Sequence, residues 1–226
     1  MGYIIYFILI MAVPILVQVY LKKTYAKFLK VPASSGLTGA EATRKVLDEN
    51  GLYNVSVEEV RGTLSDHYDP RSKTVRLSSD NYYGNSIAAI SVGIHEVGHA
   101  VQDKVNYGPL RLRHSLVPVA NIGSNMSFIV ILAGMLLAQA NLILLGIVLM
   151  AASVLFQIVT LPVEFNASSR ALKVMVGSGI IRNNEESGAR KVLNAAALTY
   201  VAGTLIAVAE LLRFVFMFIG MRNEED

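Results

Sequence analysis

The run from Ser115 to Val163 contains no Asp, Glu, Lys or Arg. A membrane span needs roughly 20 consecutive apolar residues, so this run holds two spans joined by a tight turn, and not three. The turn is expected at Gln139-Ala140-Asn141, between spans at Leu116 to Leu137 and Leu142 to Leu161. Formal charge is also missing from Met1 to Tyr20, which places another span at Tyr3 to Leu21. A fourth runs from near Val192 to about Phe218 and is interrupted late by Glu210 and Arg213. Those two charges lie three apart on a helix and are expected to pair at the membrane interface.

Composition agrees, with 53% hydrophobic and 16% charged residues against about 25% charged in soluble proteins. The chain therefore reads as a mainly α integral membrane protein with about four transmembrane helices. The first span has no basic residue before it and no small-residue cleavage site after it, which marks it as a retained anchor. Basic residues fix the orientation. Lys22, Lys23, Lys27 and Lys30 follow the first span, Lys104, Arg111 and Arg113 precede the second, and Arg170 and Lys173 follow the third. All fall on one side, which the positive-inside bias makes cytoplasmic in a multi-pass protein of the cell (inner) membrane. The expected division is 1–21 anchor, 22–115 cytoplasmic part, 116–163 transmembrane hairpin, 164–191 second cytoplasmic segment, and 192–226 transmembrane helix with a tail.

The chain has no cysteine, so any metal ligand must come from His, Asp or Glu, and no disulfide framework is available. No basic patch is interleaved with aromatics, which argues against nucleic acid. The excess of Lys and Arg suits an anionic lipid bilayer.

Within 22–115, Thr38 and Glu41 form a capping box for a helix from Ala40 to Leu47 that Gly51 stops. Val55 to Val60, Thr63 to Tyr68 and Lys73 to Ser78 are expected strands, the last two joined by a turn at Asp69-Pro70-Arg71-Ser72. Thr74 to Ser78 is the expected sheet edge, where an extended peptide could add a strand.

The next helix carries His95-Glu96-Val97-Gly98-His99. Ile87, Ile90, Ile94, Val97 and Val101 recur at three-and-four spacing and make an apolar stripe, with the two histidines on a neighbouring face. Residues four apart share a helix face, so both imidazoles can converge on one Zn2+ while Glu96 faces its open position. Gly98 costs up to roughly 1 kcal/mol of helix propensity, and close packing beneath the metal is the expected compensation.

A third ligand is required, and the extended H-E-x-x-H-x-x-G-x-x-H pattern is absent, because position 102 is Gln and position 105 is Val. Two spans separate His99 from Glu164, so both return to the same membrane face, at a point where an unpaired charge would be costly. Asp66, Asp69, Asp80, Asp103, Glu185 and Glu186 are the competing acids.

The His95–Gln102 segment, the stretch from Ser65 to Pro70, Leu161-Pro162-Val163-Glu164-Phe165 and Val192 to Tyr200 resemble the YugP-like neutral zinc metallopeptidases. In layout these are similar to the gluzincin membrane proteases related to HtpX. The resemblance covers nearly the whole chain. It implies a small α+β zincin-like cytoplasmic domain, zinc ligands His95, His99 and Glu164, and Glu96 as catalytic acid/base. The expected activity is that of a membrane-embedded zinc metalloendopeptidase cutting membrane-associated proteins or peptides. A catalytically inactive zinc-binding scaffold or protease adaptor is the alternative, and a protein partner or oligomer is left open. The HtpX pattern has an Asp four residues after the ligand Glu, where this chain has Ser168. Asn166, Ser168 or Asp103 must then steady a histidine. Candidates for stabilising an oxyanion include His67, Tyr68, Tyr82, Tyr83, His114 and Arg170.

Overall fold

The computed structural model describes residues 2–223, with side chains described for 4–221. Met1 and the expected tail at 224–226 lie outside the described residues. Among the described residues the order is α1 (Gly2–Leu29), α2 (Gly39–Glu49), β1 (Ser56–Val60), β2 (His67–Asp69), β3 (Thr74–Ser78), α3 (Ser79–Tyr83), α4 (Ile87–Lys104), α5 (Gly108–Leu136), α6 (Ala140–Gly177) and α7 (Glu186–Asn223). The protein is mainly helical, and α1, α5, α6 and α7 are each long and apolar enough to cross a membrane.

These helices outrun the expected spans. The turn between α5 and α6 occupies 137–139, slightly earlier than expected, with Ala138 in the left-handed region at φ 52°. The Gln139 N–H donates to the Gly134 carbonyl at 2.8 Å and closes the end of α5. Pro162 does not end α6, which is 38 residues long in all and runs on to Gly177. At about 1.5 Å per residue that length far exceeds the roughly 30 Å of bilayer hydrocarbon. Glu164, expected just past a helix end, therefore sits in a helix interior. The stretch 164–191 is the second half of α6, a turn at 178–185, and the first turns of α7.

Two compact units emerge from the fold. One comprises the described parts of 1–10, 108–162 and 200–226. Its core gathers Ile131, Ile143, Ile147 and Phe214. Here the expected Glu210–Arg213 pair is present at 2.6 Å, and the Tyr6 hydroxyl also donates to Glu210 at 2.7 Å.

The other unit comprises 11–107 and 163–199. Its three strands are ordered β1-β3-β2, with β1 parallel and β2 antiparallel to β3. Thr74–Ser78 is thus the central strand, paired on both sides, and not the free edge expected of it. The second strand is also shorter than expected, because Asp66 turns out of the ladder. Its Oδ1 accepts the Ser78 N–H at 2.7 Å and its Oδ2 accepts the Asn81 amide at 3.0 Å. The capping box is formed: Glu41 N–H donates to Thr38 Oγ1, and Glu41 Oε2 accepts the Thr38 N–H. Helix α4 begins where Ser86 Oγ accepts the Ala89 N–H. It packs against α2 and the sheet.

Ile87, Ile90, Ile94 and Val97 of α4 are almost wholly buried in the core of this unit, together with Leu47, Val75, Leu77, Ala171 and Met175. Each such side chain contributes about 1.5–3 kcal/mol. On the next face of α4, a Cβ at Gly98 would lie 2.8 Å from the Ala167 carbonyl oxygen and 3.0 Å from its Cα. The glycine lets the α6 backbone lie directly against α4, which brings Glu164 within reach of both histidines.

Candidate active site

His95 and His99 project from one face of α4, with ring centroids 4.8 Å apart and ring planes at 88°. From α6, Glu164 places Oε2 3.2 Å from His95 Nε2 and 3.6 Å from His99 Nε2. One donor atom from each of these residues lies within 4.8 Å of the others. The Glu164 side chain is 4% exposed, and the histidines are only slightly more open.

The outer nitrogens are held by a directed chain of hydrogen bonds that starts from a group unable to lose its proton. Arg170 Nε–H donates to Asn166 Oδ1 at 2.8 Å, and the guanidinium is donor-only. This orients the Asn166 amide, whose Oδ1 also accepts from Gln102 Nε2 at 3.0 Å. Gln102 Nε2 donates a second bond to the Val163 carbonyl at 2.8 Å, so both its N–H groups are committed. Gln102 Oε1 must then accept, and it lies 3.0 Å from His99 Nδ1. The proton of neutral His99 is accordingly at Nδ1, and the lone pair at Nε2 faces Glu164. His95 is also held from its outer side, with Nδ1 3.1 Å from the Ser168 hydroxyl, which can donate or accept.

Electrostatics favour a cation here. Burial works against protonating His99, but its hydrogen bond to Glu164 and the charges of Glu96 and Glu164 outweigh it, raising the pKa above the ordinary imidazole value. Glu96 itself is 8% exposed. Two imidazole nitrogens and one carboxylate oxygen form the donor set of many catalytic zinc sites, in which a fourth position stays open. The residues present fit that ion.

Among the acids once in competition with Glu164, Asp66 caps the end of β3 as described. Asp69 accepts bonds from the Ser72 hydroxyl and the Arg71 N–H, which hold its carboxyl at about 2. Glu185 accepts from Ser34 and the Arg182 N–H, and Glu186 pairs with Arg190. Asp103 accepts from Tyr68 at 3.0 Å and pairs with Lys73, so these bonds turn it to the sheet.

Of the expected supporting residues, Ser168 reaches His95 directly. Asn166 and Arg170 reach His99 only through Gln102. His67 is exposed on β2, where Nδ1 meets the Ser65 carbonyl at 2.8 Å, and the Tyr83 hydroxyl donates to Glu59. His114 belongs to the other unit. Gln102 was not among the expected site residues, although its place three residues after His99, on the same helix face, was a usable signal.

Residues 3–219 match the family described as "Putative neutral zinc metallopeptidase", and the chain belongs to that family. Zinc is its cofactor, and His95, His99 and Glu164 form a group able to hold the ion. The chain is also 58% identical over 207 residues to "Putative membrane protease YugP" of Bacillus subtilis (strain 168), covering 92% of each protein. No solved structure matches it.

Proposed function

We propose that this chain is a membrane-embedded zinc metalloendopeptidase, hydrolysing peptide bonds of membrane-associated proteins or peptides on the cytoplasmic side of the cell membrane. The observation that carries the reading is the convergence of His95, His99 and Glu164 donors within 4.8 Å, with the buried Glu96 on the same helix as the histidines. His95, His99 and Glu164 act as ligands. Zinc, when bound there, supplies a Lewis acid that acidifies water and polarises a carbonyl. Glu96 takes a proton from the attacking water onto a carboxylate oxygen and returns it to the departing amine nitrogen. Gln102 keeps the His99 proton at Nδ1, and Ser168 steadies the His95 ring at its own Nδ1. The basic clusters after the first and third spans and before the second support the cytoplasmic placement.

The test is purified protein in detergent, assayed for zinc content and for cleavage of casein and of membrane proteins. Glu96→Gln is expected to retain zinc while hydrolysis falls by roughly 10²–10⁴-fold. Hydrolysis that survives in Glu96→Gln would remove the residue from the reaction. Zinc retention without cleavage by the unaltered chain would make it a metal-binding membrane scaffold.

A further inference from the structure

The packing of α4 on α6 fixes how far the metal-holding group stands from the lipid. Gly98 lies against Ala167, and Gln102, one turn on, donates to the Val163 carbonyl. Four residues forward on α4 thus match four back on α6, and the two helices run antiparallel. Val163 is the last residue of the uncharged run, and α6 passes there into the unit that carries the histidines. Counted from Ala140 at about 1.5 Å per residue, α6 has crossed the roughly 30 Å of bilayer hydrocarbon by about residue 160. The level shared by Gln102 and Val163 is therefore just outside the hydrocarbon edge.

His99 and His95 lie three and seven residues back along α4, about 5 and 10 Å beyond that level. A bilayer of about 40–45 Å in all leaves about 5–8 Å of headgroups on each side. The metal-holding group accordingly stands at the outer margin of the headgroup layer. Side chains mark the same gradient. Val105, three residues past Gln102 on the lipid side, leaves its apolar surface 53% exposed, as hydrocarbon permits. The next charges on α6 after Glu164 are Arg170 and Lys173, on the water side of the site.

We propose that the site selects substrates by depth: they are membrane-anchored proteins, cut about two to three residues beyond the cytoplasmic end of a transmembrane segment. The inference rests on the peptidase reading and adds where its substrates are cut. An extended chain at about 3.3 Å per residue covers about 5–10 Å in that number of residues. A substrate's own membrane segment holds its first extramembrane bonds at this level, at an effective concentration that a peptide free in bulk water lacks.

Depth is measured first, without turnover. The chain has no tryptophan, so a single introduced one reports its own surroundings. In nanodiscs of lipids brominated along the acyl chains, Val105→Trp is expected to lose most of its fluorescence. Ser169→Trp, exposed and level with the histidines, is expected to lose little. Strong quenching at both positions places the site in hydrocarbon, quenching at neither places it in water, and either result overturns the proposal.

Cutting is read with the unaltered full chain reconstituted beside single-span proteins whose cytoplasmic tails are scrambled in sequence. Mass spectrometry maps the cleaved bonds, and Glu96→Gln supplies the background. Cuts are expected to cluster next to the span. Moving one cleaved sequence outward on a Gly/Ser linker from about three to about 20 residues should slow its cleavage roughly 10–20-fold, following the −3/2 power of linker length. Rates independent of linker length, or equal cutting of a tail released from its span, overturn the proposal and leave the peptidase standing. No cutting of any tail or of casein by zinc-loaded protein removes the peptidase reading and this substrate rule with it, while the tryptophan pair still gives the depth of the metal-holding group.

Discussion

Glu164 on α6 and Glu210 on α7 are both carboxylates set in long apolar helices, and their companions differ. Glu210 receives a cation from the chain itself, Arg213, and a hydrogen bond from Tyr6, with the pair left about a quarter to a third exposed. Glu164 is almost fully buried and faces two imidazole nitrogens, with Gln102 holding the His99 proton on the far side of its ring and Ser168 meeting the far side of His95. One carboxylate is satisfied by a fixed positive charge. The other lies beside two imidazole nitrogens in a group able to hold a metal ion.

The comparison breaks most directly by exchanging the two residues' fates. Glu164→Ala is expected to lose zinc entirely on dialysis, measured as metal content, whereas Glu210→Gln keeps it. Equal zinc content in the two variants would end the distinction.

A sharper version removes only the orientation. Gln102→Met deletes the acceptor at His99 Nδ1 and should weaken zinc binding by roughly 10–100-fold, read by competition with a chelator. Asp103→Asn, one residue along but turned to Tyr68 and Lys73, should leave zinc affinity unchanged.

Packing comes next. Gly98→Ala drives a methyl into the Ala167 backbone and is expected to cost about 1–3 kcal/mol, seen as a lower Tm together with weaker zinc binding. A variant as stable as the parent would mean that α6 can retreat without loss.

The smallest effect is on pH. In zinc-free protein the raised pKa of His99 stabilises the fold fully below the unfolded imidazole value of about 6.5. That contribution is lost as pH rises through the folded value. Zinc needs the neutral ring, so its stabilisation grows over the same range. Thermal melts with and without zinc should therefore diverge as pH rises, and parallel curves would show that proton and metal do not compete at His99.

The local chemistry of the site was legible in the sequence wherever one helix carries it. His95 and His99 follow from four-residue spacing, and the apolar stripe beside them follows from the helical period. Glu164 needed a topological argument, since only the even number of spans ties it to α4. Other features depended on contacts that no local pattern encodes. The parallel partner of β3 is β1, which lies on the far side of β2 in sequence, so a hairpin-based reading left β3 at an edge. The third span was expected to stop at Leu161, yet α6 runs on through Pro162, because membrane helices tolerate a proline where neighbouring groups satisfy the freed backbone carbonyl. Gln102 escaped notice because a glutamine after a metal motif has no chemistry of its own until Asn166 and Val163 take its amide protons.

The closeness of Gly98 to Ala167 pairs two residues made far apart in time. His95 and His99 leave the ribosome well before Glu164, and both halves of the α5–α6 hairpin lie between them in the chain. A nascent or truncated polypeptide ending before α6 has two of the three donors and no complete site. Completion of the chain thus assembles the metal-holding group, which no copy ending before α6 carries.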